Sequence, residues 1–180
     1  EARLEEHAAA LPAEHPMRLE VAAYLKGDGA LTLRTDTDGA EVTLHRVELR
    51  NRRWVEVPDR VLGRTPLVEV PLARGSYLCV LRQPGRADVR YPVSVGRGEH
   101  WHGVRPGGRE PFPIRMPLAG ELGPDDCLVP AGWFWSGGDP LAVDPLPRRR
   151  LWCDELVMRR FPVTNREYLV FLDDLSSRGR

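Results

Sequence analysis

Residues 30 to 49, "ALTLRTDTDGAEVTLHRVEL", decide how this chain folds. Apolar and polar side chains alternate on either side of a Thr-Asp-Gly turn. A period of two sends one set of side chains to a buried face and the other to water, the pattern of a half-buried strand. Thr37-Asp38-Gly39 is a turn signal because Asp bonds its own backbone and Gly accepts a positive φ. "RRWVEVPD" (52–59) reads as the next strand, followed by strands at Leu67 to Val70, Ser76 to Arg82 and Val89 to Val95. Ala73-Arg74-Gly75 and Pro84-Gly85-Arg86 separate them. Short strands with glycine at the turns predict an antiparallel sandwich of roughly 70 residues, spanning 30 to 95. Leu44, Tyr77 and Val80 are expected in its core, and Gly39 and Gly75 are the candidates for φ > 0.

The same span carries a spaced pattern. Gly39-Ala40-Glu41-Val42, Gly63-Arg64-Thr65-Pro66, Gly75-Ser76-Tyr77 and Gly85 resemble the elements of the PEGA-type β-sandwich domain. Those elements are a Gly-Ala-x-Val strand start, a Gly-x-Thr-Pro turn and a Gly-x-Tyr strand start. The resemblance implies an Ig-like sandwich over residues 28 to 96. Pro66 forces Thr65 extended and Gly63 supplies a permissive φ, which is also ordinary turn chemistry. Val47 to Val61 is longer than the family's usual short hairpin, so "RNRRW" (50–54) reads as a decorated, lineage-specific edge.

Upstream, residues 1 to 27 carry helical signals in two pieces, Arg3 to Leu11 and Pro16 to Lys26. Pro16 suits a first helical turn and Gly27 the position just past the end. Leu19, Ala22, Ala23 and Leu25 are expected to face a partner, and the pair could equally be the tail of a helical-repeat region. Downstream, residues 97 to 126 are rich in Gly, Pro, Arg and His and read as a linker. Its most tempting chemistry is His100 and His102, which would lie on one side of an extended strand. A closed metal site needs three or four ligands. The two are therefore read as surface histidines flanking a packed Trp101.

"CLVPAGWFWSGGDP" (127–140) and "RRRLWCDELVMRRFPVTNREYLVFL" (148–172) read as a strand ending in a Gly turn, a loop, a second strand and a capped helix. Thr164 and Glu167 form a capping box, each side chain satisfying the other residue's backbone N–H. Tyr168, Leu169, Phe171, Leu172 and Leu175 then make one apolar face. It is expected to lie on the strands around Trp133 and Trp152, or on a neighbouring molecule. Val129-Pro130-Ala131-Gly132-Trp133-Phe134 and Val163-Thr164-Asn165, with Tyr168 and Phe171, resemble the start of the sulfatase-modifying-factor family. That family is the formylglycine-generating enzyme domain with its C-type-lectin-like fold. Residues 127 to 180 would then be an N-terminal fragment of such a domain, although Trp135-Ser136 stands where the family commonly has Met-Gly. The family's catalytic cysteines and calcium ligands belong to its later part and have no counterparts here. Cys127 and Cys153 are read as strand residues, and Thr164, Asn165 and Tyr168 as builders of the fold.

The chain of 180 residues has 26 Lys plus Arg and 26 Asp plus Glu, so no global field steers it toward nucleic acid or anionic membrane. Arg148-Arg149-Arg150 and Arg159-Arg160 are read as solvated clusters. No apolar stretch approaches the roughly 20 residues that span a bilayer. Three cysteines without C-x-x-C spacing argue against a disulfide framework or zinc site, and predict reduced thiols in a cytoplasmic setting. The first residue is Glu1 and the helix stands five residues from Arg180, so both ends read as cut.

The class expected is mainly β with short helices: the sandwich plus a truncated C-type-lectin-like α+β segment. No catalytic, cofactor-binding or metal-binding residue is assigned. Three functions are weighed. The first is a non-catalytic spacer or docking region of a bacterial multidomain signalling protein, which the two resemblances imply alongside a serine/threonine protein kinase. Its partners would be the parent's other domains, or a copy or protein held through the 164–175 helix. The second is a carbohydrate- or envelope-binding sandwich using Trp54 and Trp101 as platforms. The third, an enzyme in its own right, lacks any Ser/His/Asp arrangement, carboxylate pair or P-loop.

Overall fold

The computed structural model describes residues 2–179, without the side chains of Ala2, Glu5 and Ala23. The chain is mainly β, with 42% strand and 17% helix. Seven strands build the centre: β1 (Gly29–Leu33), β2 (Glu41–Arg50), β3 (Arg53–Arg64), β4 (Leu67–Leu72), β5 (Gly75–Arg82), β6 (Val89–Val95) and β7 (His100–Trp101). One sheet runs β3-β2-β5-β6, antiparallel throughout, and the other runs β4-β1-β7, where β1 is antiparallel to β4 and parallel to β7.

The period-two pattern explains the core. Val42 and Leu44 of β2, Tyr77, Cys79 and Leu81 of β5, and Val89, Tyr91, Val93 and Val95 of β6 form one buried cluster with Leu31, Leu33, Leu67, Leu72 and Trp101. Burying each large apolar side chain stabilises by about 1.5 to 3 kcal/mol. Leu44 and Tyr77 sit in this cluster as the alternation predicts. Val80 is buried too, but on the opposite face of β5, between Thr43 and Arg90 in register. A strand cannot send adjacent-parity residues to one face.

The turns bring two distant motif pieces together. Gly39 has φ 92° and Gly63 φ 124°, both in the region that favours glycine. Gly39 N–H donates to Thr65 O (2.9 Å), and Thr65 N–H to Ala40 O (2.9 Å). Thr65 Oγ1, buried, accepts from Ala40 N–H at 3.1 Å. Thr35 hydroxyl donates to Thr37 O (2.7 Å), so in the 2.6 Å contact between the two hydroxyls Thr65 is the donor. Gly75 differs from its expectation: its φ is not positive. It begins β5 as ordinary strand, with the Tyr77 ring 3.4 Å from where a Cβ would stand.

β2 and β3 are joined by Asn51-Arg52, both with positive φ (49° and 63°), a two-residue turn whose twist suits the strands it connects. β2 is registered with β5 only from Glu41 to Arg46. Beyond Arg46 the hairpin is a two-stranded arm that pairs only with itself, its Glu56 held by Arg90 of β6.

Residues 97 to 126, read as a linker, are built into the sandwich. Trp101, Ile114 and Met116 are core residues with 2%, 3% and 0% of their surface exposed. Ile114 N–H donates to Arg34 O and Asp36 N–H to Ile114 O, both 2.9 Å, alongside the end of β1. Met116 N–H donates to Asp36 Oδ1 (3.0 Å), while Ala87 N–H donates to Pro117 O (2.9 Å) and Ala119 N–H to Gly85 O (3.0 Å), at the β5–β6 turn. The segment is a strap tied to both sheets. Beyond β7 it forms no further strand before β8, in keeping with its Pro and Gly content, and its isolated apolar residues carry no periodicity by which sequence alone would reveal it.

Helices α1 (Ala2–Ala9) and α2 (Pro16–Lys26) pack on each other before β1. Leu19 and Ala22, expected to face a partner, are exposed, and Leu25 is half-buried. The expectation for Ala23 lies outside the described side chains. The eight residues of α1 cover little, and Arg97 grips the far end of α2, its guanidinium 4.4 Å from the Tyr24 ring.

Beyond the strap, β8 (Asp126–Val129) pairs with β11 (Leu156–Arg159), and β9 (Gly132–Ser136) with β10 (Arg149–Cys153), both antiparallel. Helix α3 (Asn165–Ser177) has the expected capping box: Glu167 N–H donates to Thr164 Oγ1 (3.3 Å) and Thr164 N–H to Glu167 Oε2 (2.8 Å). The Thr164 N–H foremost, and then the Thr164 hydroxyl donating to the same carboxylate oxygen (2.8 Å), hold the Glu167 carboxyl below its ordinary pKa. Its apolar face does not lie on the strands around Trp133 and Trp152, as was expected: no residue of α3 is buried, and Tyr168, Phe171 and Leu172 are all exposed. The indole of Trp152 packs edge-on against Trp133 (5.6 Å) and Phe112 (5.8 Å), so its ring is already engaged within the strap and ribbon.

Candidate functional site

The densest side-chain chemistry lies where the β9–β10 ribbon meets the sandwich. Residues alternate along β10, so Arg150 and Trp152 share one face, as do Trp133 and Trp135 across the pair. Arg150 Nη1 donates to Glu99 Oε1 at 2.6 Å, and Glu99 Oε2 accepts from Gly96 N–H at 3.0 Å. The guanidinium sits 4.7 Å from the Trp101 ring of the sandwich and 5.1 Å from the Trp133 ring of the ribbon. Its Nε and Nη2 are buried without a hydrogen-bond partner, so the aromatic faces supply what stabilisation those groups receive. Trp101 Nε1 points to Tyr91 Oη (3.4 Å), and Trp133 Nε1 donates to Val104 O at 2.7 Å. Arg150 is thus a clamp between two indoles.

His100 and His102 flank this clamp. Their rings meet edge-on at 5.5 Å, but each is otherwise engaged: His100 Nε2 with Thr32 Oγ1 (2.8 Å), and His102 Nδ1 as acceptor for Val104 N–H (3.0 Å). Burial, then the charges of His100 and Arg150, pushes the His102 pKa down, with Glu99 acting the other way. Among the described residues, no group of three or more His, Cys, Asp or Glu side chains could hold a metal.

A mostly apolar cavity of about 250 Å³ lies beside the clamp, lined by Tyr91, Pro92, Val129, Trp133, Phe134 and Cys153. The Cys153 thiol donates to Asp154 O at 3.3 Å. Cys127, on β8 opposite Met158, is exposed. Cys79 is buried, which pushes its thiol up to about 12. Trp101, weighed as a sugar platform, is 2% exposed and belongs to the core, whereas Trp54 is 70% exposed on the hairpin arm. Thr164 caps α3, Asn165 opens it, and Tyr168 lies on its exposed face 6.0 Å from the Phe171 ring. The Glu99–Arg150 pair escapes a reading of the sequence because Arg148-Arg149-Arg150 looks like one solvated run. Reading β10 at period two would have separated Arg150 from its neighbours.

No protein family, curated protein or solved structure matches this chain. Among the described residues, no helix is long and apolar enough to cross a membrane.

Proposed function

We propose that this chain is a non-catalytic spacer and docking region of a larger bacterial signalling protein. The kind meant is one in which a PEGA-like sandwich and a sulfatase-modifying-factor-like domain accompany a serine/threonine protein kinase. The observation that carries the spacer role is the clamp. Arg150 of the β9–β10 ribbon reaches Glu99 and Trp101 of the sandwich, a tie that stiffens the junction between them. A spacer needs that stiffness, because flexible joints do not transmit the position of one domain to the next. The motif resemblance of residues 127 to 175 supports the assignment of the parent.

Limited proteolysis of the chain tests the spacer role. Arg150→Ala is expected to open new cleavage sites within the ribbon strands, 132 to 136 and 149 to 153, while the sandwich melt stays cooperative. Wild-type chain cut there as fast as the variant would show that the ribbon is not clamped. Catalysis is tested separately, by incubating the chain with a sulfatase-motif cysteine peptide, with and without copper or calcium. The expected mass spectrum contains no aldehyde product. Turnover abolished by Cys127→Ser or Cys153→Ser would overturn the non-catalytic reading.

A further inference from the structure

The β2–β3 arm carries features that the spacer role leaves unused. Leu49 and Trp54 stand directly opposite each other, on one face of the arm, and are 61% and 70% exposed. Arg50 and Arg53 form the next pair, on the opposite face of the arm beside the turn, and like charges directly opposite in a sheet repel. Arg50 is tied to Glu48 (2.9 Å), Arg46 and Arg60 both reach Asp59, and Glu56 is taken by Arg90. Arg52 and Arg53 have no acidic partner among the described residues. Arg52 also holds φ 63° at the turn position where glycine is strongly preferred, a conformation that disfavours any side chain. Two locally unfavourable arrangements, a repelling arginine pair and a left-handed arginine, thus meet at one exposed tip. The repulsion between the arginines is relieved when an anion sits there.

We propose that this tip docks on an anionic lipid bilayer, Trp54 and Leu49 entering the interface while Arg52 and Arg53 meet headgroup phosphates. Charge selects an anionic partner, and the apolar pair selects among anionic partners. A bilayer interface offers volume for both an indole and an isobutyl group, with tryptophan favoured at the level of the headgroups. Nucleic acid offers base faces for Trp54 but nothing comparable for Leu49. The chain's formal net charge is zero, so attraction is confined to the tip and acts within about one Debye length of the membrane. Docking by the arm does not pass through Arg150, so either the clamp or the tip can fail without the other.

Cosedimentation of the whole chain with phosphatidylcholine vesicles, with and without about 30% phosphatidylserine at low salt, tests the proposal. Binding to the anionic vesicles is expected to exceed binding to the neutral ones by roughly fivefold or more, and to fall as salt rises. Arg52→Gly places in the turn the residue its geometry prefers, so it removes the charge without endangering the fold; combined with Arg53→Thr it is expected to abolish the preference. Trp54→Thr is expected to weaken binding several-fold at unchanged salt dependence. Equal binding to both vesicle types, or a preference that survives the double arginine variant, overturns the proposal. So does capture by a single-stranded oligonucleotide without capture by the anionic vesicles, which would make the tip a nucleic-acid contact.

Discussion

Trp101→Ala is expected to lower the stability of the chain by about 3 to 5 kcal/mol, the range for truncating a buried large aromatic residue. Three losses combine at this one position. The indole is 2% exposed in the core cluster, so its removal leaves a cavity between the two sheets. Its N–H leaves the Tyr91 hydroxyl, which burial has already pushed toward the neutral form. Its face leaves Arg150, whose guanidinium then keeps Trp133 alone, 5.1 Å away, with Nε and Nη2 still unpartnered. Both the urea midpoint and the protease pattern should change: an earlier cooperative transition together with new cuts in the β9 and β10 strands. A midpoint within about 0.5 kcal/mol of wild type, the range of an ordinary surface substitution, would place Trp101 outside the core.

Met116→Ala separates the core from the clamp. Met116 is fully buried, its backbone tied to Asp36 on one side (3.0 Å) and to Arg86 on the other (2.7 Å). Truncating it is expected to cost about 2 to 4 kcal/mol through lost burial and the cavity left behind. Arg150, Trp101 and Trp133 do not touch that change, so the urea midpoint should fall without early cleavage of the ribbon. Leu141→Ala, at a position 92% exposed in the β9–β10 loop, serves as the control and is expected to leave the midpoint where it was. If Met116→Ala behaves like Leu141→Ala, the strap is a peripheral covering and the sandwich ends at β7.

Both substitutions fall in a segment whose composition reads as a linker, and the reason lies in the kind of interaction involved. Short-range rules made the strands legible. The alternation of Leu31 and Leu33, of Val42 and Leu44, and of Tyr77, Cys79 and Leu81 needs only the strand period to assign a buried face. Thr164 with Glu167 needs only one helical turn. Gly39 and Gly63 hold the positive φ that their turns demand. Gly75 shows the limit of such rules, since glycine at a strand start is permitted any φ and here takes an ordinary one.

What sequence alone determined, then, is the mainly β class, the sandwich strands and the capped helix, because period, turn chemistry and capping act over a few residues. Tertiary structure decided the rest. Glu99 and Arg150 lie 51 positions apart and Asp36 and Met116 lie 80 apart, so no local pattern announces either contact. Whether an arginine is solvated, as Arg149 is, or held between indoles, as Arg150 is, depends on which face of β10 meets the sandwich. The exposure of the α3 face and the reach of the β2–β3 arm were likewise beyond the sequence. Amphipathic pattern says that a face prefers burial, but only the packing of other elements determines whether a partner arrives.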